Sequence, residues 1–187
     1  MRLFRFVPLT AIVVALGAAA TVHAAGQQMP PTPKPGPEHE ILKADAGTWD
    51  AVIELVPAPG VPPMTFKGVE VNTLGCGGLC LVSEFKGDLM GQPFEGRGLF
   101  VWDPAKKRYV GSWTDSMSLG LATMEGTWDP AAKTLTGWME GPDPSGQRVK
   151  QKTVTESRGN TRVMKAFATG PDGKEMQTMS ITYTRRK

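Results

Sequence analysis

The side chains of this sequence that could do acid–base chemistry are few, and one stretch places four residues on a common face. By strand periodicity these are Tyr109, Gly111, Trp113 and Asp115. A carboxylate held inside an apolar interior beneath aromatic rings has a raised pKa, and it can act as a general base or anchor a ligand. Asp115 is the leading catalytic candidate, ahead of Glu84 and Arg97. For Asp115 we prefer a structural role, either hydrogen-bonded at the barrel rim or paired with an arginine.

Several common classes of site are excluded by composition. Of the two histidines, only His39 follows the N-terminal segment, so a Ser-His-Asp or Cys-His site would have to use it. A histidine-rich zinc site is excluded by count. The sequence has no His-Glu-x-x-His, no phosphate-binding glycine loop and no Gly-x-Ser-x-Gly motif. We therefore expect no cofactor and no metal.

Two cysteines, Cys76 and Cys80, flank a short glycine-containing stretch. In an exported protein such a pair is most simply a disulfide, and the glycines can supply the tight turn between the sulfurs. Free thiols and a redox or metal pair are the alternatives, although the spacing is not Cys-x-x-Cys. The disulfide is the preferred interpretation.

Methionines are frequent in the predicted strands: Met64, Met90, Met117, Met124, Met139, Met164, Met176 and Met179. Flexible thioethers suit ordinary core packing and also an adaptable ligand cavity. Cuprous copper is a third use, but simple alternation places the close pair Met176 and Met179 on opposite faces of a strand.

The N-terminus predicts export. Arg2 and Arg5 precede an apolar run over 6–20 that is too short to span a bilayer, and small residues before Ala25 suit cleavage after Ala24. We expect a signal peptide at 1–24, a Pro-rich disordered spacer at 25–37 and one domain at 38–187. Removing the signal lowers Lys+Arg from 21 to 19 against 18 Asp+Glu, and so lowers the net charge from +3 to +1. We therefore expect a near-neutral protein that is periplasmic or secreted, with no nucleic-acid partner and no stable membrane insertion.

The remaining pattern is all-β. One short helix at 38–46 precedes ten alternating segments separated by turns, which predicts an antiparallel up-and-down β-barrel of about ten strands. Trp102-Asp103-Pro104 and Trp128-Asp129-Pro130 repeat the same turn, two strands apart, so both turns should lie at one end of the barrel. Gly96 and Gly98 fit either local curvature, which is preferred, or the close approach of another group.

Several motifs together resemble a bacterial exported family of unknown function, number 1579, whose members are lipocalin-like (calycin-type). They are Gly47-Thr-Trp-Asp50, Leu74-Gly-x-Gly-Gly, Phe94-x-Gly-x-Gly98, Trp102-Asp103, Tyr109-Val-x-x-Trp113-x-Asp115, Asp172-Gly-Lys-Glu175 and Tyr183-x-Arg185. The resemblance covers roughly 38–185 and implies a calycin-type barrel without established catalytic residues. It also implies that Gly47, Trp49 and Arg185 close the barrel, with Arg186 as the alternative arginine.

A comparison with haem-binding nitrobindin-like barrels implies no haem here, because their ligand is a histidine near the C-terminal strands and this chain has none after His39.

The function that these patterns favour is binding of a small apolar molecule inside the barrel. The predicted lining consists of Trp49, Ile53, Phe94, Phe100, Tyr109, Trp113, Met164 and Met179. One alternative is an enzyme that acts on a small carbonyl or hydroxyl compound with Asp115 as the acid or base. The other is a structural or partner-binding barrel with a filled interior. Binding is preferred to catalysis.

Overall fold

A computed structural model describes residues 31–57, 60–143, 145–170 and 173–187. The expected signal peptide at 1–24, and the part of the spacer at 25–30, lie outside the described residues. Pro33–Lys187 forms one compact unit by itself. This unit contains all the elements discussed below.

The described chain folds into ten strands after a short helical segment, as the alternation predicts. A 3-10 turn at Pro37–His39 leads into α1 (Glu40–Asp45), and a second 3-10 turn, Cys76–Gly78, joins the second and third strands. The strands are β1 Gly47–Leu55, β2 Met64–Gly75, β3 Cys80–Leu89, β4 Gln92–Asp103, β5 Arg108–Asp115, β6 Ala122–Asp129, β7 Thr134–Pro142, β8 Arg148–Arg158, β9 Thr161–Thr169 and β10 Glu175–Arg185.

The strands form a closed antiparallel barrel in which each strand pairs with its sequence neighbours and β1 also pairs with β10. Trp49 lies opposite Glu70 on one side and opposite Arg185 on the other. Because the connections alternate, the β2–β3, β4–β5, β6–β7 and β8–β9 turns lie at one end, together with α1. We call this the lid end, and the opposite end the open end.

Both Asp-Pro turns lie at the lid end, as their spacing predicts. The carboxylate of Asp103 accepts hydrogen bonds from the N–H groups of Ala105 and Lys106 at 2.9 and 3.0 Å. Asp129 accepts equivalent bonds two strands later, at 2.9 and 3.1 Å. Each carboxylate thereby satisfies turn donors that the sheet cannot pair.

Helix α1 has six residues and cannot be stable alone, because a helix this short does not recover the cost of its nucleation. The barrel holds it. Leu42 is 4% exposed and packs with Leu81 and Tyr109, while the Tyr109 hydroxyl donates to the Glu38 carbonyl at 2.8 Å. The segment therefore covers the lid end of the interior.

The inner wall is built from aromatic rings that lie along it, over glycines. A Cβ at Gly96 would stand 2.2 Å from Cζ2 of Trp113, and one at Gly98 would stand 3.1 Å from Cε3 of the same ring. Phe85 covers Gly68 in the same way, at 2.2 Å. These glycines thus provide room for close approach, which is the interpretation that the sequence analysis ranked second.

A β-bulge in β10 overturns one expectation from simple alternation. Gln177 lies opposite Phe167 but Met179 lies opposite Ala166, so Thr178 is an extra residue. Met176 therefore faces Ala168, on the same face as Met179. The prediction that the two methionines lie on opposite faces is wrong, because an added residue reverses the parity beyond it.

We expect Gly96→Ala to lower the free energy of unfolding by about 1–3 kcal/mol, because the methyl group would displace the Trp113 ring from a packed wall. Urea denaturation measures this. The same substitution in a Trp113→Ala background should cost much less, since the clash is then gone. Equal costs in the two backgrounds would contradict the packing explanation.

Candidate functional site

The interior contains two hydrophobic clusters, and the predicted lining is divided between them. The first cluster extends from Trp49 at the lid end toward Ile53, and Phe94, Trp113, Met164 and Met179 pack against it. Beneath the lid, Leu42, Leu81 and Tyr109 pack with Phe100, Trp102, Trp128 and Leu135. The eight predicted residues all face the interior, but Phe100 and Tyr109 belong to the second cluster, which packs against α1 at the lid end.

The inner wall is packed on one side and accessible on the other. On β1, Trp49, Ala51 and Ile53 are each 2% exposed. By contrast, several inward-facing side chains of β5 to β9 are only half-buried: Trp113, Met124, Met139, Thr153 and Met164. Eight strands give a barrel that side chains just fill or that holds one small ligand, and ten strands enclose more space. The accessible part of the wall is therefore the candidate binding surface.

Aromatic contacts order the packed side of the inner wall near the open end. The Phe66 and Phe94 ring centroids lie 6.4 Å apart, and those of Phe85 and Phe94 lie 5.7 Å apart with an edge-to-face arrangement. Such contacts orient the rings and add to the gain from burial. Phe94 is thus held in place at the edge of the accessible wall.

Asp115 is hydrogen-bonded by its own neighbourhood. Its Oδ2 accepts from Nε1 of Trp113 at 2.9 Å, and its Oδ1 accepts from the N–H of Met117 at 2.9 Å. One oxygen thereby orients the Trp113 ring on the wall, while the other begins the β5–β6 loop. The other two candidates, Glu84 and Arg97, form an exposed ion pair with each other at 3.0 Å.

A buried charge network lies beneath the lid, and the sequence analysis did not identify it. The Arg162 guanidinium donates to Asp45 of α1 and to Glu70 of β2. Asn72 donates to the Glu70 carboxylate at 2.9 Å and to the Asp45 carbonyl at 3.2 Å. The network therefore ties the lid to the interior faces of β2 and β9.

The charges of this network are set by burial and by each other. Burial raises the pKa of Asp45 above its ordinary value of 3.8; the Arg162 guanidinium opposes the rise and the Glu70 carboxylate adds to it. Burial alone would lower the pKa of Arg162, but the Asp45 and Glu70 carboxylates outweigh it and raise that pKa, so the guanidinium stays charged. Burial, followed by the charge of Glu70, raises the pKa of Tyr183 well above 10.0.

Two guanidinium groups contact the indole of Trp49. Cζ of Arg185 lies 4.1 Å from the ring centroid and Cζ of Arg162 lies 5.0 Å from it. Arg185 also donates to the Ala46 carbonyl at 2.6 Å. A Cβ at Gly47 would stand 2.5 Å from Nη1 of Arg185, so only glycine leaves room for this guanidinium. Arg186 instead pairs with Asp50 on the outside, at 2.6 Å.

The Cys76–Cys80 disulfide is confirmed, and it closes the 3-10 turn at the lid end. Two concavities, of about 490 and 410 Å³, are lined mainly by outward-facing residues such as Leu99 and Trp138 for the first and Val154 and Lys165 for the second. These concavities therefore lie on the outer wall.

Comparison with known proteins identifies the family. Residues 34–185 match the family described as "Protein of unknown function (DUF1579)". The chain belongs to the DUF1579 family. Among functionally curated proteins, none matches it.

Two solved structures share the fold of this DUF1579 barrel. Rv2717c from M. tuberculosis has a TM-score of 0.63 at 12% sequence identity, with 81% of this chain and 99% of that chain covered. The S-type phycobiliprotein lyase CPES from Guillardia theta has a TM-score of 0.54 at 12% identity, with 80% and 93% covered. At such low identity the likeness shows the fold alone.

Two structural features bear on metal binding and membrane insertion in residues 31–57, 60–143, 145–170 and 173–187 of the DUF1579 chain. Within those ranges, no three histidine, cysteine, aspartate or glutamate side chains are grouped so that they could share a metal ion. No helix in the same ranges is both long and apolar enough to cross a bilayer.

We expect Arg162→Met to destabilise this DUF1579 barrel by about 3–5 kcal/mol, because it leaves the Asp45 and Glu70 carboxylates buried without their cation. Thermal and urea unfolding measure the change. Arg186→Met is the matched control, since its partner Asp50 is exposed and water replaces the lost contact. Similar losses in the two variants would contradict the buried network.

We expect neither tyrosine to ionise near pH 10 while the barrel is folded. The chain has two tyrosines, and burial raises the pKa of both; nearby Glu38 adds to the effect at Tyr109. The unfolded chain loses these protons first, so the free energy of unfolding falls as pH rises above about 10. Absorbance at 295 nm should rise together with loss of the circular dichroism signal. Tyrosinate absorbance near pH 10 in a folded barrel would refute this.

Proposed function

We propose that this protein binds a small, largely apolar molecule inside the barrel, entering at the open end. The observation that carries the proposal is the inner wall of β5 to β9, where inward-facing Trp113, Thr153 and Met164 remain half-buried. In a filled ten-stranded barrel these side chains would be as buried as those of β1. Methionine side chains can adapt to the shape of a ligand at low cost.

The flat placement of the rings supports the same proposal. Trp113 lies over Gly96 and Gly98, and Phe85 lies over Gly68, so these large side chains line the wall rather than project from it. An apolar ligand would contact ring faces and thioethers, and burial of its surface would drive binding. The lyase with a similar fold is named for a phycobiliprotein, whereas the fold likeness alone does not specify a ligand for this chain.

The position of the charges limits the kind of ligand. In the described interior, the charged network of Arg162, Asp45 and Glu70 lies under the lid and its charges are paired with one another. On the accessible wall, the Asp115 carboxylate already accepts hydrogen bonds from Trp113 and Met117. The polar groups beside it include the hydroxyls of Thr153 and Thr155 and the amide of Gln151. These can orient a ligand through one or two hydrogen bonds, so a neutral molecule suits the wall better than an ion.

Asp115 supports the binding proposal through Trp113 rather than through catalysis. Both of its oxygens accept hydrogen bonds within its own strand and loop. This arrangement suits a positioning residue. The disulfide between Cys76 and Cys80 supports a further part of the proposal, that the protein acts after export, because disulfides persist in oxidising compartments.

We expect Thr153→Phe to weaken uptake of N-phenyl-1-naphthylamine at least tenfold, because Thr153 faces the interior between Gly137 and Ala166 and a phenyl ring would occupy the space. Enhanced dye emission in solution measures uptake, and native mass spectrometry of periplasmic protein tests for a natural ligand. Thr136→Phe is the matched control, since Thr136 is exposed on the outer wall.

Failure of the wild-type protein to bind dye, together with no co-purified molecule, would refute a binding function. Equal dye uptake by Thr153→Phe and Thr136→Phe, with both variants folded, would place the dye outside the barrel. Either result would favour the filled barrel that binds a partner by its outer surface.

A further inference from the structure

The open end of the barrel carries the most exposed large apolar side chains of the described chain. The five most exposed large apolar side chains in the described ranges all lie in its loops: Leu119 (80%), Met90 (73%), Met117 (52%), Leu121 (52%) and Val61 (46%). We call these five residues the apolar rim. They come from the β1–β2, β3–β4 and β5–β6 connections, which are consecutive around the barrel, so they border one half of the opening.

The turn residues show that exposed apolar side chains are a feature of the open end rather than of hairpin turns in general. Met90 has a left-handed backbone conformation (φ 54°) in a two-residue hairpin turn, a position that favours Asn or Gly over a long apolar residue. The left-handed turn residues Lys107 and Lys133 lie at the lid end, and both are charged. Neither packing within the monomer nor stabilisation of the turn therefore explains why position 90 is a methionine.

The carboxylates of the open-end loops bond to their own loops. Asp88 accepts from the N–H of Gly91 at 2.6 Å, Asp115 accepts from that of Met117 at 2.9 Å, and Asp143 accepts from that of Ser145 at 2.9 Å. These carboxylates satisfy loop donors. The rim residues Met90 and Met117 come from two of these same loops.

The geometry points to a lipid bilayer surface as the occupant of the apolar rim. The barrel is closed, so it has no free strand edge to pair with a protein. The rim consists of separate exposed side chains on three loops along one half of the opening, and such a surface suits a deformable apolar phase better than the fixed surface of a protein. This inference rests on the proposed function, since an apolar ligand is held in membranes and would enter where the rim meets them.

Docking of this kind is peripheral and reversible. A few half-exposed side chains reach only the boundary between headgroups and acyl chains. The rim would then hold the open end against the bilayer, so that a lipophilic molecule could pass into the barrel without crossing water. The substrate class is therefore a membrane-dissolved apolar molecule.

The test is flotation with vesicles of phosphatidylethanolamine and phosphatidylglycerol, using exported protein whose mass shows that residues 1–24 are absent. We expect the wild-type protein to float with the vesicles and the double variant Met90→Ser/Leu119→Ser to bind about tenfold more weakly. The matched control is Val71→Ser/Leu99→Ser, which removes exposed apolar side chains from the outer wall and should bind as the wild type does.

Absence of vesicle binding by the wild-type protein would overturn the inference, as would equal binding by the rim and wall variants. Dye uptake in solution separates this failure from that of the proposed function. Rim variants should keep wild-type dye uptake, because the rim lies outside the interior. A wild-type protein that takes up dye but does not bind vesicles refutes docking alone. A wild-type protein that binds vesicles but neither takes up dye nor carries a co-purified molecule refutes the ligand-binding proposal alone.

Discussion

The structure depends on the pairing of one buried guanidinium. Arg162 extends from β9 into the barrel, where it meets Asp45 of the lid and Glu70 of β2, and lies 4.0 Å from the ring of Tyr183 on β10. A desolvated charge is tolerated only when its partners are in place. The closure of the barrel and the seating of the lid are therefore coupled, since either one, if lost, would expose or orphan the same charges.

The two ends of the barrel differ in how they are closed, because the coupled charges lie at the lid end. Trp49, between Arg185 and the network, and Leu42 above it seal the lid end with little exposed surface. The loops at the opposite end carry exposed apolar side chains. In the proposed function the ligand enters past these apolar loops and reaches the accessible wall of β5 to β9.

Much of the framework could be predicted from sequence because it is set by local chemistry. The ten strands, both Asp-Pro turns and the disulfide follow from alternation, turn residues and cysteine spacing. The bulge at Thr178 could not be predicted in this way, since an extra residue leaves no periodic signal. The Arg162 network also could not be predicted from the sequence, because its partners Asp45 and Glu70 lie 117 and 92 residues away along the chain.

Outside the bulged strand β10, the sequence by itself determined which residues share a face of a strand, because the side-chain period of two is a property of the backbone. Only the tertiary structure decided which face is inside. On β2, hydrophobicity would favour burying Val71, yet Val71 is 41% exposed and Glu70 is 5% exposed. On β3, Val82 is likewise exposed and Ser83 buried. The reason is that Arg162, from a distant strand, fixes Glu70 inside, and the register then orients every neighbour.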